Sequence, residues 1–107
     1  MTTITKNNYT AEVEAANGLV VIDFWADWCG PCRMLSPIME SLDKEVKDVK
    51  FCKVNVDEEP ALAQKFGVMS IPMLVFMVEG NVAETLVGYR SKEEILSVID
   101  DYRWKIN

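Results

Sequence analysis

Leu19-Val20-Val21-Ile22-Asp23-Phe24-Trp25-Ala26-Asp27-Trp28-Cys29-Gly30-Pro31-Cys32 is the stretch from which the rest of the fold can be placed. Its first eight residues are mostly β-branched or aromatic and apolar at odd and even positions alike, with one aspartate among them. A strand reads this way when it lies in the middle of a sheet covered on both faces. The periodicity then changes. From Pro31 to Val46, the residues Met34, Leu35, Ile38, Met39, Leu42 and Val46 recur at helical spacing. Pro37 falls inside this helix and is expected to kink it, because it offers no amide hydrogen to the preceding turn. A buried strand thus runs into a helix, with two cysteines at the junction.

Working outward, Val49 to Asp57 alternates, with Cys52, Val54 and Val56 on one face and Phe51, Lys53 and Asn55 on the other. Met73 to Val78 is a third strand, and Glu79-Gly80-Asn81 after it signals a hairpin that returns along Val82 to Val87. Helices fit between the strands: Asn8 to Asn17 with Gly18 as its stop, and Pro60 to Phe66 with Gly67 at its end. Ser91-Lys92-Glu93-Glu94 is a capping box that opens a last helix, with Ile95, Ile99 and Tyr102 on its apolar stripe. With Ile4 counted as a short first strand, the order is β-α-β-α-β-α-β-β-α. That order predicts an α/β sandwich with a central mixed sheet of about five strands flanked by about four helices.

The chain has 107 residues, which suits one domain over 1–107. Area scaling predicts a folded surface of roughly 6,000 Å² against roughly 17,500 Å² for the open chain, so the core needs no metal or disulfide staple. Eleven Lys and Arg against 17 Asp and Glu give a net charge of -6, with no Lys/Arg cluster. Nucleic acid and anionic membrane are therefore disfavoured as partners. There is no histidine. That excludes a zinc-protease motif, a histidine-based catalytic triad and a histidine general acid. The start of the chain does not read as a secretory signal, and no apolar run is long enough to cross a bilayer. Three cysteines, two of them close together, do not resemble a secreted disulfide framework; a cytoplasmic location is expected.

Cys29 and Cys32 are three residues apart at a helix mouth, where Cβ atoms lie roughly 5–6 Å apart. A small adjustment brings them to the ~3.5–4.5 Å of a disulfide. Amides at the helix start point toward the first sulfur, and the helix dipole favours its thiolate. Cys29 is therefore the expected nucleophile, and Cys32, one turn deeper, the less exposed resolving thiol. Gly30 leaves room for a substrate backbone, and Pro31 is tolerated in the first turn. Two other readings are weighed beside a redox pair. A zinc or iron–sulfur site usually takes four Cys or His ligands, more than this chain offers. A structural disulfide would ordinarily close a longer loop. Cys52 shares its strand face with Val54 and Val56 and reads as a small buried hydrophobe.

Phe24-Trp25-Ala26-Asp27-Trp28-Cys29-Gly30-Pro31-Cys32 resembles the active-site signature of the thioredoxin family. The resemblance runs along nearly the whole chain, through Asp23, Pro37, Lys53-Val54-Asn55-Val56-Asp57, Ile71-Pro72 and Gly88. It implies the thioredoxin fold and a dithiol–disulfide oxidoreductase that needs no bound cofactor and no metal. Its implied partners are disulfide-containing target proteins and a thioredoxin reductase, and the protein is expected to be a monomer. It further implies that Asp23 moves a proton to and from Cys32 through water; the plainer reading is a buried acid balanced by Lys53. Pro72 is implied to be cis and to face the cysteines, with the backbone at Ile71 pairing with substrate. Trp28 is read as contact surface, Trp25 as packing under the active-site loop, and Gly88 as an opening for substrate backbone. The pattern departs from the family at Met73, where threonine is common, and at Met69, where a basic or polar residue is frequent. Such changes make the substrate groove more apolar and adaptable, although for Met73 the plainer reading is core packing of an inward-pointing side chain. The loop between the cysteines has no histidine to stabilise the thiolate, which favours a reductant over an oxidase or isomerase.

Overall fold

The strand from Leu19 to Trp25 (β2) occupies the middle of a five-stranded sheet, and six of its seven residues are buried. The computed structural model describes residues 1–106. In it, β1 (Thr2–Thr3) runs parallel to β3 (Lys50–Asn55), and β3 runs parallel to β2. On the other side β4 (Met73–Val78) pairs antiparallel with β2, and β5 (Asn81–Val87) antiparallel with β4. The sheet order is β1-β3-β2-β4-β5. The molecule exposes 5863 Å², close to the area its size predicts.

The two-residue alternation of β2 and β4 sorts the core into two layers. Val20, Ile22, Phe24, Val75 and Met77 face a cluster that takes in Ile4, Val13 and Leu62. Leu19, Val21, Leu74 and Phe76 face the opposite way. There they meet Leu35, Met39 and Leu42 of α1 (Gly30–Glu45) and Ile95 and Ile99 of α3 (Lys92–Ile106). The short α2 (Pro60–Lys65) belongs to the first layer through Leu62. Asp23 has the odd parity of Leu19 and Val21, so the alternation turns it toward the α1 side of the sheet. Among the described residues, no helix is long and apolar enough to cross a membrane.

Most expected elements are present with ends shifted by a residue or two. Two differ in kind. The first strand is Thr2–Thr3 rather than Ile4; Ile4 continues it, buried, with its amide on Lys53 O at 2.8 Å. The helix expected over Asn8–Asn17 is a five-residue π-helical turn, Thr10–Glu14, in which Ala15 N bonds Thr10 O at 2.9 Å. Lys50, from β3, holds this turn in place: its Nζ donates to both Glu12 O and Glu12 Oε2, each at 2.8 Å. Pro37 sits within α1 as expected.

The β4–β5 hairpin turns on Glu79 and Gly80, both at positive φ (51° and 79°). This is the primed geometry that matches strand twist in two-residue loops. Residue Ala83 is extra in the β5 register, and its carbonyl accepts from Tyr102 Oη at 3.0 Å. A bulge capped from α3 blunts an otherwise open sheet edge. The capping box forms as read: Glu94 N donates to Ser91 Oγ at 3.1 Å and Ser91 N to Glu94 Oε1 at 3.3 Å. Ser91→Ala is therefore expected to lower unfolding stability by about 1 kcal/mol in a denaturant titration. An unchanged midpoint would show that the cap contributes nothing.

Candidate active site

Cys29 is the N-cap of α1, with extended backbone, and its Sγ accepts from Cys32 N at 3.2 Å. The cysteines are joined as a disulfide with a Cα–Cα distance of 5.2 Å, within the usual range. β2 ends at Trp25 and α1 begins at Gly30, so the strand-to-helix junction read from the sequence is what places the pair. Pro31 stands in the first turn of α1 and is exposed. A Cβ placed on Gly30 would meet nothing within 4 Å, so that flank of the disulfide is open.

The expected difference in exposure is not found: each cysteine is 4% exposed. What separates them is surroundings. Cys29 Sγ sits at the helix N-terminus and lies 3.8 Å from Ile71 O. Cys32 instead lines a cavity beneath the motif.

The Ile71–Pro72 peptide is cis, and its loop lies against Cys29. Gly88 N donates to Pro72 O at 2.8 Å, tying the end of β5 to this loop. Gly88 has φ 89°, a conformation costly for any residue with a side chain. Trp28 is 68% exposed beside the disulfide, and its Nε1 donates to Asp57 Oδ2 at 2.9 Å. Asp57 follows β3, so this bond joins the active-site loop to the next loop across the sheet.

Asp23 is the group behind the pair. It is 5% exposed, lies between Lys53 on β3 and Leu74 on β4, and its Oδ1 has no hydrogen-bond partner. Burial raises its pKa from 3.8 to about 7, and the positive charge of Lys53 only partly opposes this. Asp23 and Lys53 form no ion pair. Lys53 Nζ instead lies 5.8 Å from the centre of the Trp25 ring, a cation–π distance. Lys53 therefore acts on Asp23 through its charge and not through a direct ion pair.

A cavity of about 140 Å³ joins Asp23 to Cys32 and is also lined by Ser36, Glu40, Arg33 and Lys53. That space is large enough for water, with Asp23, Ser36 and Glu40 offering it polar groups. Ser36, Glu40 and the Trp28–Asp57 bond were not singled out from the sequence. Positions 32, 36 and 40 recur every fourth residue and so share one face of α1, which is a readable signal. No comparable pattern points to Asp57. Arg33 Nη1 donates to Asp27 O at 2.7 Å and clamps the loop ahead of the cysteines. Met73 is only 7% exposed and packs in the core, in line with its plainer reading, so the departure there concerns packing and not the groove. Cys52 is buried as expected, and burial pushes its thiol up to about 11.

A disulfide at a helix N-terminus, with a cis-proline loop against one sulfur and a buried carboxyl behind the other, defines a dithiol–disulfide oxidoreductase. Comparison with known proteins agrees. A family model described as Thioredoxin matches residues 1–101. The chain is 50% identical over 94 residues to a thioredoxin of Listeria monocytogenes, spanning 87% of this chain and 91% of that protein. It is 41% identical over 103 residues to a thioredoxin of Bacillus subtilis, spanning 95% and 99%. It is 46% identical over 87 residues to one of Chlamydia caviae, spanning 81% and 85%. The chain belongs to the thioredoxin family. Its Cys29–Cys32 pair works by dithiol–disulfide exchange, and the family implies disulfide-containing targets and a reductase that restores the dithiol.

Proposed function

We propose that this protein is a cytoplasmic, monomeric reductant of protein disulfides, built as a single domain over 1–107 and recycled by a thioredoxin reductase. The observation that carries the reading is the placement of Cys29 at the α1 N-cap against the Ile71–Pro72 loop, with Asp23 behind Cys32.

In the reduced protein, the Cys29 thiolate attacks one sulfur of a target disulfide. The target S–S bond breaks, its second sulfur leaves as a thiolate and takes a proton, and Cys29 is held in a mixed disulfide. Cys32 then gives its proton through water in the cavity to Asp23 and attacks Cys29 Sγ. The mixed disulfide breaks, the target leaves with both sulfurs reduced, and the Cys29–Cys32 pair has lost two electrons. The reductase returns them.

The remaining residues set the geometry of these steps. Gly30 and Pro31 shape the first turn so that Cys29 can be approached. Trp28, Ile71, Pro72 and Gly88 form the surface on which a target segment lies, with its backbone along Ile71. Lys53 tempers the pKa of Asp23 by its charge. Nucleic acid and membrane are not partners in this reading, given a net charge of -6.

Mixing the reduced protein with insulin in the absence of any other reductant tests the direction of transfer. The expected result is stoichiometric appearance of insulin thiols as the Cys29–Cys32 disulfide forms. Insulin left intact while the protein stays reduced would overturn the reading.

A further inference from the structure

Met69 is 93% exposed, more than any other large hydrophobic residue among those described. Its side chain belongs to none of the buried clusters, so the fold gains nothing from a methionine at this position. It precedes by two residues Ile71, whose carbonyl lies 3.8 Å from Cys29 Sγ. The amides of Met69, Ser70 and Ile71 donate to no backbone acceptor among the described residues. This length of backbone is open to a pairing partner beside the reacting sulfur.

The segment Gly67-Val68-Met69-Ser70-Ile71-Pro72 carries no charge. Three other exposed apolar residues continue its rim: Trp28 next to Cys29, and Val87 and Tyr89 on either side of Gly88. An apolar side chain laid on this rim gains by leaving water, whereas a charged one loses hydration without a partner.

We propose that Met69 is a specificity-determining residue, selecting target disulfides with an apolar residue two positions from the half-cystine that Cys29 attacks. The inference rests on the reading above that a target segment lies along Ile71. An extended target segment rises ~3.3 Å per residue. Met69 and Ile71 are two residues apart on one loop, so a target residue that meets Met69 lies about two positions from the one beside Ile71. The unbranched thioether adapts to apolar side chains of different shape, so the selection is against charge more than for one residue.

The test uses symmetric disulfide dimers of a short peptide bearing either Leu or Glu two positions before and after its single cysteine. The protein is expected to prefer the Leu peptide by about tenfold in kcat/KM, the difference lying in KM. Met69→Lys should shift the preference toward the Glu peptide, and Met69→Leu should retain it. An identical Leu/Glu ratio in the Met69→Lys variant would overturn the assignment. A parallel incubation of Cys32→Ser protein with the Leu peptide separates two kinds of failure. An adduct on Cys29 with an unchanged ratio removes Met69 alone, whereas absence of the adduct removes the exchange reading on which it rests.

Discussion

Cys29→Ser is expected to lose disulfide-reducing activity by on the order of 10³-fold or more, because a serine hydroxyl is not ionised near neutral pH and has no base beside it. Cys32→Ser is expected to lose turnover as well, but at a different step. Its Cys29 still attacks, and the mixed disulfide then has no second thiol to resolve it. Incubated with cell extract, Cys32→Ser protein should accumulate adducts on Cys29 that dithiothreitol releases, and Cys29→Ser protein should accumulate none. Mass spectrometry of the two variants reads the outcome directly. The experiment has force because exposure does not rank the sulfurs: both residues are 4% exposed. The assignment rests instead on Cys29 capping α1 and touching the Ile71 carbonyl. Adducts carried by Cys32 in the Cys29→Ser variant would reverse the roles.

Asp23→Asn is expected to change both stability and rate, each with a distinct pH signature. The Asp23 pKa is raised from 3.8 to about 7, so below about pH 4 the carboxyl is protonated in folded and unfolded chains alike. Between these values the unfolded chain releases the proton while the folded chain keeps it. Stability therefore falls with rising pH, by about 1.4 kcal/mol per pH unit and about 4 kcal/mol in all, and levels off above about pH 7. Asparagine cannot ionise. Relative to the unmodified oxidised protein, the variant should thus gain about 4 kcal/mol on going from pH 4 to pH 8, whatever constant offset its amide introduces. Denaturant titrations at the two pH values check this, and a pH-independent difference would mean that Asp23 is not held protonated by burial. In exchange, loss of the proton acceptor should slow resolution of the mixed disulfide by on the order of 10²-fold near pH 7. A stability gain with no loss of rate would leave Asp23 as a buried acid without a part in the reaction.

How much of this was legible in the sequence depends on how local each feature is. The strand-to-helix junction at Cys29 was readable because both its periodicities and its first-turn proline lie within one stretch. Met73 to Val78 was readable to the residue, since both of its faces are buried and a turn follows at once. The π-helical turn was not, because residue composition over Asn8–Asn17 does not tell it from an ordinary helix, and the Lys50–Glu12 contact across 38 residues has no local signal. The same holds for the Trp28–Asp57 bond, which spans 29 residues. The Asp23–Lys53 proximity was foreseen from strand order, but the lysine lies over Trp25, a contact that strand order does not announce. The cis bond before Pro72 came from family resemblance alone, since an X-Pro sequence does not specify its isomer. Apparent depth along a helix also misled about the two cysteines. One turn of α1 does place Cys32 lower, but the Ile71 loop covers Cys29 just as fully.

The central claim is that Cys29–Cys32 is a reversible couple poised to reduce other disulfides, and its reduction potential tests that most directly. Equilibration in glutathione or dithiothreitol buffers, read by tryptophan fluorescence, gives the value, since Trp25 and Trp28 adjoin the pair. About 30 mV corresponds to ~1.4 kcal/mol for this two-electron couple, so reductant and oxidant are well separated. With no histidine between the cysteines to favour the thiolate, the predicted potential is more negative than that of the cytosolic glutathione pool. A clearly more oxidising potential, or no reversible couple at all, would contradict the account.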